Sequence, residues 1–171
     1  MTSNTAPTSV KAPPLRLKML LRITRGMPRI RGFGYLTLRF LKPLCCDPNG
    51  GSYILPIWPR IRMLVDPWDC IEGVLALLPQ YYDSWELAAV AQNLPEGGTF
   101  VDVGANVGAY SLWAARHGGL NANVIAIEPA PDNYARLCHN VELNGLARII
   151  HEGTESGSLG GVCALRMVVA A

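Results

Sequence analysis

The chain has 171 residues, half of them hydrophobic, which is room for one ordinary domain and excludes a disordered protein. Its five cysteines, at 45, 46, 70, 138 and 163, form no CxxC pair and have no neighbouring His at ligand spacing, so neither a disulfide framework nor a zinc site is expected. The formal charge of +2 conceals an asymmetry: residues 1–62 carry eleven Lys or Arg and one acid, residues 63–171 four bases and twelve acids.

Residues 1–46 form a basic arm. Its first fourteen residues, with Thr, Ser, Pro and Ala scattered without periodicity, are expected to be disordered. From Leu15 to Arg25 the pattern becomes helical, with Lys18, Arg22, Arg25 and Arg29 at helical spacing and Leu17, Leu20 and Leu21 on another side, until Gly26 and Pro28 interrupt it. That run is too short and too charged to span a bilayer, which needs about 20 apolar residues. Three readings of the arm stay open: a solvated extension, peripheral attachment to an anionic membrane surface through residues 15–31, and a transit peptide or nucleic-acid contact. No base-stacking aromatic pattern accompanies the charge, so nucleic acid is not expected as a partner. The expected compartment is a reducing cytoplasm, free or at the membrane periphery.

Residues 47–96 read as a small cap. Asp47-Pro-Asn-Gly-Gly51 is a turn, and residues 52–57 and 61–65 are short strands forming a hairpin, stopped by Pro67. Trp58 and Trp68 are expected to anchor its packing. Residues 69–78 have helical character, and a second helix runs from Asp83 to about Asn93, with Asp83 and Glu86 spaced like a capping box.

Residues 97–152 carry the chemistry. Phe100, Val101 and Val103 suit a strand covered on both faces, and Gly104-Ala-Asn-Val-Gly108 turns it into a helix ending at His117. Backbone N–H groups at such a turn are expected to face a ligand. A second strand, Asn123-Val-Ile-Ala-Ile-Glu128, ends in an acid twenty residues after Gly108, where a Rossmann-like fold places the carboxylate that binds ribose hydroxyls. Pro131 begins the next helix, with Tyr134, Leu137, Cys138 and Val141 on its inner face, and residues 147–151 are the third strand.

The loop discriminates between two nucleoside cofactors. A dinucleotide loop needs a glycine where Asn106 stands, so that the backbone can approach the pyrophosphate. Asp102 disfavours a pyrophosphate anion but suits a ligand with sulfonium and ammonium groups. S-adenosylmethionine is therefore favoured over a nicotinamide dinucleotide. The expected site is Asp102, Gly104, Ala105, Asn106, Val107, Gly108 and Glu128; no metal and no catalytic base is assigned.

Phe100-Val-Asp-Val-Gly-Ala-Asn-Val-Gly-Ala-Tyr-Ser111, Val124-Ile-Ala-Ile-Glu-Pro129 and Asn140-Val-Glu-Leu-Asn-Gly-Leu146 together resemble the FkbM-type family of class I methyltransferases. Asp69-Cys-Ile-Glu-Gly73 and Tyr81-Tyr-Asp-Ser-Trp-Glu-Leu87 resemble its lead-in, so the likeness covers about residues 60–150. It implies an α/β, Rossmann-like methyltransferase sheet with helices on both faces, of which this chain holds the first half in strand order 3-2-1, preceded by the N-terminal β/α cap. It also implies methyl transfer from S-adenosylmethionine to a hydroxyl of a sugar or natural-product-like acceptor, and a cofactor pocket bordered near Tyr82 and Glu86.

After Glu152 the family pattern stops. Gly153-Thr-Glu-Ser-Gly-Ser-Leu-Gly-Gly161 reads as a linker, and Val162–Ala171 as an apolar tail that can fill the place beside the first strand. The expectation is a truncated or frame-shifted methyltransferase whose first strand keeps an unpaired apolar edge. A remnant without catalysis and a membrane-peripheral binding protein are the alternatives, with a dinucleotide-dependent oxidoreductase as a minor one.

Overall fold

Leu17, Leu20, Leu21 and Thr24 turn one side of the first helix, α1 (Leu15–Gly26), inward. The computed structural model describes residues 11–119, 122–146, 150–153 and 163–168, and the disorder expected for residues 1–14 falls largely outside them. The chain divides into two units, Met1–Pro59 with Met63–Tyr82, and Arg60–Arg62 with Asp83–Ala171. Among the described residues no helix is long and apolar enough to cross a membrane.

In the first unit α1 packs against α4 (Cys70–Leu77). Arg25, placed by its spacing in the row of cations away from the leucines, points inward. Its guanidinium donates to the Ala76 carbonyl from Nε and Nη2, at 3.0 and 2.6 Å, and from Nη1 to the Pro56 carbonyl. Ala76 lies in the last turn of α4, where carbonyls lack helical partners and a cation is favoured. Burial pulls the Arg25 pKa down to about 10, so the group stays charged at neutral pH. Gln80 Nε2 donates to the Thr24 carbonyl, and the Tyr81 hydroxyl accepts from the Ile30 N–H.

Residues 33–45, unassigned from the sequence, are helical throughout: α2 (Phe33–Leu36), a π-helical turn (Thr37–Leu41) and α3 (Lys42–Cys45). Periodicity missed them because Tyr35, Leu36, Phe40 and Leu44 are exposed and so mark no inner face. The two short strands form as expected. β1 (Tyr53–Trp58) and β2 (Ile61–Val65) pair in a two-stranded sheet, with Tyr53, Leu55 and Ile57 buried in alternation. Trp58 meets Tyr82 edge-on at 6.2 Å, whereas Trp68 is exposed with the Lys42 ammonium 5.6 Å from its ring centre. Asp69 caps α4, its Oδ1 accepting from the Ile71 and Glu72 N–H groups.

The second unit runs α5 (Ser84–Asn93), β3 (Thr99–Val103), α6 (Ala109–His117), β4 (Asn123–Glu128), α7 (Pro131–Leu143), β5 (Ile150–Gly153) and β6 (Cys163–Val168). The capping box before α5 does not form. Asp83 takes a left-handed conformation (φ 35°) without a side-chain cap, and its Oδ2 accepts from the Tyr110 hydroxyl at 3.0 Å. Arg60–Arg62 groups here because Asn144 pairs with the Arg62 backbone through both amide atoms, at 2.9 and 2.6 Å.

The sheet is four-stranded in the order β3-β4-β6-β5. β3 and β4 are parallel, in register from Thr99 beside Asn123 to Val103 beside Ile127. The expected order 3-2-1 is therefore incorrect: β6, from the C-terminal tail, lies between the second and third strands and is antiparallel to both. The tail does not fill the place beside β3. Antiparallel β5 and β6 can pair as sequence neighbours, and the more apolar Cys-Ala-Leu-Arg-Met-Val sequence occupies the interior while Ile-His-Glu-Gly takes the edge.

α6 packs on β3 and β4, α7 on β4 and β6, and α5 on α6. The core of this unit includes Leu112, Ala115, Val124, Ala126, Leu137 and Val141. The expectation that β3 is covered on both faces fails. Phe100 and Asp102 are half-buried, but Val101 and Val103 on the other face are 51 and 77 % exposed. Among the described residues β3 is an edge strand, paired on the β4 side alone.

Candidate functional site

The site grows from the carboxyl ends of β3 and β4, where parallel strands deliver successive loops to one edge of the sheet. Past Val103 the Gly104 and Ala105 N–H groups both donate to the Ile127 carbonyl, at 2.8 and 3.0 Å, which carries the β3–β4 ladder into the turn. The chain then reverses through left-handed residues: Gly104 at φ 80°, Asn106 at 49° and Gly108 at 93°. The two glycines are needed for different reasons. A Cβ on Gly104 would meet open space, so its requirement is conformational, whereas one on Gly108 would lie 2.5 Å from Leu137 Cδ1. Asn106 adopts the left-handed region as only Gly, Asn and Asp readily do.

Glu128 closes the turn. It is only 5 % exposed, and its Oε2 accepts from the Asn106 N–H at 2.7 Å while Oε1 accepts from the Ala130 N–H at 2.9 Å. The Gly108 N–H donates to the Ala105 carbonyl. The expectation that the loop N–H groups face a ligand is thus incorrect for Gly104, Ala105, Asn106 and Gly108, which all donate within the protein. A turn this buried must satisfy its own donors, and the acid at the end of β4 supplies one acceptor. Glu128 is thus buried and bonded through both oxygens. Each of its oxygens keeps a second lone pair, so the latch leaves acceptor capacity.

Asp102 lies one strand over, beside Ala126 in register. Its Oδ2 accepts from the Ser111 hydroxyl at 2.5 Å. Burial raises the Asp102 pKa, the Ser111 hydrogen bonds oppose that rise, and the charge of Glu128 adds to it. Two carboxylates therefore share one field at the same end of adjacent strands. This is an electronegative site, suited to a cation and unfavourable to an anion.

All seven residues expected from the sequence come together here. Ala105, Val107, Gly108 and Glu128 are buried, Asp102 and Asn106 half-buried, and Gly104 exposed. Three further residues support them. Ser111, fully buried on α6, fixes the Asp102 carboxylate; Asn140, fully buried on α7, donates from Nδ2 to the Val107 carbonyl at 2.9 Å; and Leu137 fills the space against Gly108. The signal for Ser111 and Asn140 was a polar residue on an otherwise inward helix face.

His117, in the last turn of α6, places Nδ1 2.9 Å from the Trp113 carbonyl and stacks on that indole at 4.0 Å. Among the described residues no group of three or more His, Cys, Asp or Glu could hold a metal ion. Comparison with protein-family models, curated proteins and solved structures returns no match to this chain.

Proposed function

We propose that the β3-loop-α6-β4 unit is the first half of a class I methyltransferase sheet and binds S-adenosylmethionine at the loop between Asp102 and Gly108. The observation that carries this reading is the pair of carboxylates, Asp102 and Glu128, at the carboxyl ends of adjacent parallel strands, where the charge of Glu128 bears on the Asp102 carboxyl. Sulfonium and ammonium groups gain from that field, and a pyrophosphate loses. Asp102 holds the amino-acid end of the cofactor, directly or through water. Glu128 keeps its latch to Asn106 and Ala130 and offers its remaining lone pairs to the ribose hydroxyls. Ala105, Asn106 and Val107 wall the site.

The reaction is methyl transfer to an oxygen, following the family resemblance, with a hydroxyl of a sugar or natural-product-like molecule as acceptor. Displacement at an already activated methyl asks the protein mainly for alignment and electrostatics. The test is competition at equilibrium. S-adenosylmethionine raises the thermal midpoint of the purified chain in a concentration-dependent way, and NAD at the same concentrations does not. A shift with NAD alone makes the loop a dinucleotide site, and a shift with neither removes the cofactor reading.

A further inference from the structure

The apolar residues of α1 fall into two stripes, and one of them is left uncovered. Leu17, Leu20 and Leu21 are buried within the first unit. Leu15, Met19 and Ile23 recur every four residues on the opposite side and are 72, 59 and 56 % exposed. At about 100° per residue this outward stripe is bordered by Lys18 and Arg22 on one side and Arg16 on the other, all three exposed.

The surroundings extend the pattern. Between Lys11 and Cys46 there are nine basic residues and no acid. Arg25 is withdrawn into the first unit and Lys42 donates to the Asp69 carbonyl, but the other seven are exposed. Tyr35, Leu36, Phe40 and Leu44 of the same unit are exposed as well, with Arg39 5.5 Å from the centre of the Phe40 ring.

We propose that the outward face of α1 is a docking surface for an anionic lipid membrane, with the helix lying in the headgroup plane. The stripe enters the acyl boundary while Arg16, Lys18 and Arg22 snorkel to lipid phosphates and carboxylates. Charge complementarity selects this occupant. A second copy would set one uniformly basic face against another, which repels. A nucleic acid would satisfy the cations but bury three aliphatic side chains against phosphates, with no gain from them. The inference is independent of the cofactor reading, since it concerns the first unit alone.

The test is flotation of the full chain with phosphatidylcholine vesicles, neutral or with about a third phosphatidylserine, at salt from about 0.1 to 0.5 M. Two double variants accompany the wild type. Met19→Ser with Ile23→Ser removes apolar surface at constant charge, and Arg16→Gln with Arg22→Gln removes charge at constant stripe. Neither touches the buried leucines, and circular dichroism verifies their helix content. The expected result is binding to anionic vesicles only, lost at high salt and weakened at least about tenfold in both variants.

Three results overturn the proposal. Vesicle binding that ignores the serine pair makes the attraction a diffuse charge effect. Tighter binding to an RNA oligonucleotide than to vesicles, unchanged by the serine pair, makes the surface a nucleic-acid contact. Absence of vesicle binding with a dimer that the serine pair dissociates assigns the stripe to a second copy.

Discussion

Replacing each loop glycine by alanine separates two kinds of constraint that the sequence presents as one. At Gly104 the added methyl meets open space, so the loss is that of holding an L-residue at φ 80°, about 1–2 kcal/mol. At Gly108 the same conformational term applies at φ 93°, and the methyl also lands 2.5 Å from Leu137 Cδ1. Leu137 is fully buried and cannot swing into solvent, so overpacking adds about 1–3 kcal/mol. Gly108→Ala is therefore expected to cost about 2–5 kcal/mol in total, more than Gly104→Ala by the overpacking contribution. Urea unfolding followed by far-ultraviolet circular dichroism measures both, with equal slopes expected because neither substitution changes the surface exposed on unfolding. Equal losses for the two variants, or a larger loss at Gly104, would refute the packing argument.

Further expectations follow from the two units. Arg25→Met leaves the Ala76 and Pro56 carbonyls without their charged donor and is expected to lower stability by about 1.5–3 kcal/mol, read as a lower thermal midpoint. Lysine at Val101 and Val103 is expected to suppress aggregation during concentration, because both residues are exposed on the edge strand β3; light scattering of wild type and variant decides it. The raised pKa of Asp102 has a definite sign. The folded chain holds this proton more tightly than the unfolded one, so Asp102's contribution makes stability fall as pH rises from the ordinary carboxylate range through the raised value. Asp102→Asn removes that slope in a thermal midpoint series across pH, and an unchanged slope would assign it to other groups.

The loop and its flanking elements were legible because most residues there follow a local rule: β-branched residues into β3, turn glycines at 104 and 108, Pro131 at the first position of α7. What stayed hidden depends on pairing at a distance. The place of β6 between β4 and β5 is a choice among strands, to which the sequence of residues 163–168 contributes only its apolar character. Arg25 looked like one cation in a helical row because nothing local announces the Ala76 carbonyl fifty-one residues away. Glu128 was singled out from the sequence as a candidate ribose ligand, but its bond to the Asn106 N–H became visible only with the turn folded over β4. The reversal of expectation for the loop N–H groups has the same origin for three of them, since the acceptors of Gly104, Ala105 and Asn106, the Ile127 carbonyl and Glu128, come from the neighbouring strand.

The proposal that two carboxylates make this loop a site for a cationic nucleoside cofactor is tested most directly by calorimetric titration of S-adenosylmethionine into the wild type and Asp102→Asn. Asparagine keeps an oxygen for the Ser111 hydroxyl and removes the buried charge, so the variant folds at least as stably. The account predicts micromolar binding by the wild type and a loss of about tenfold, roughly 1.4 kcal/mol, in the variant with no fall in its thermal midpoint. Equal affinity in the two proteins, or no heat with either, would contradict it.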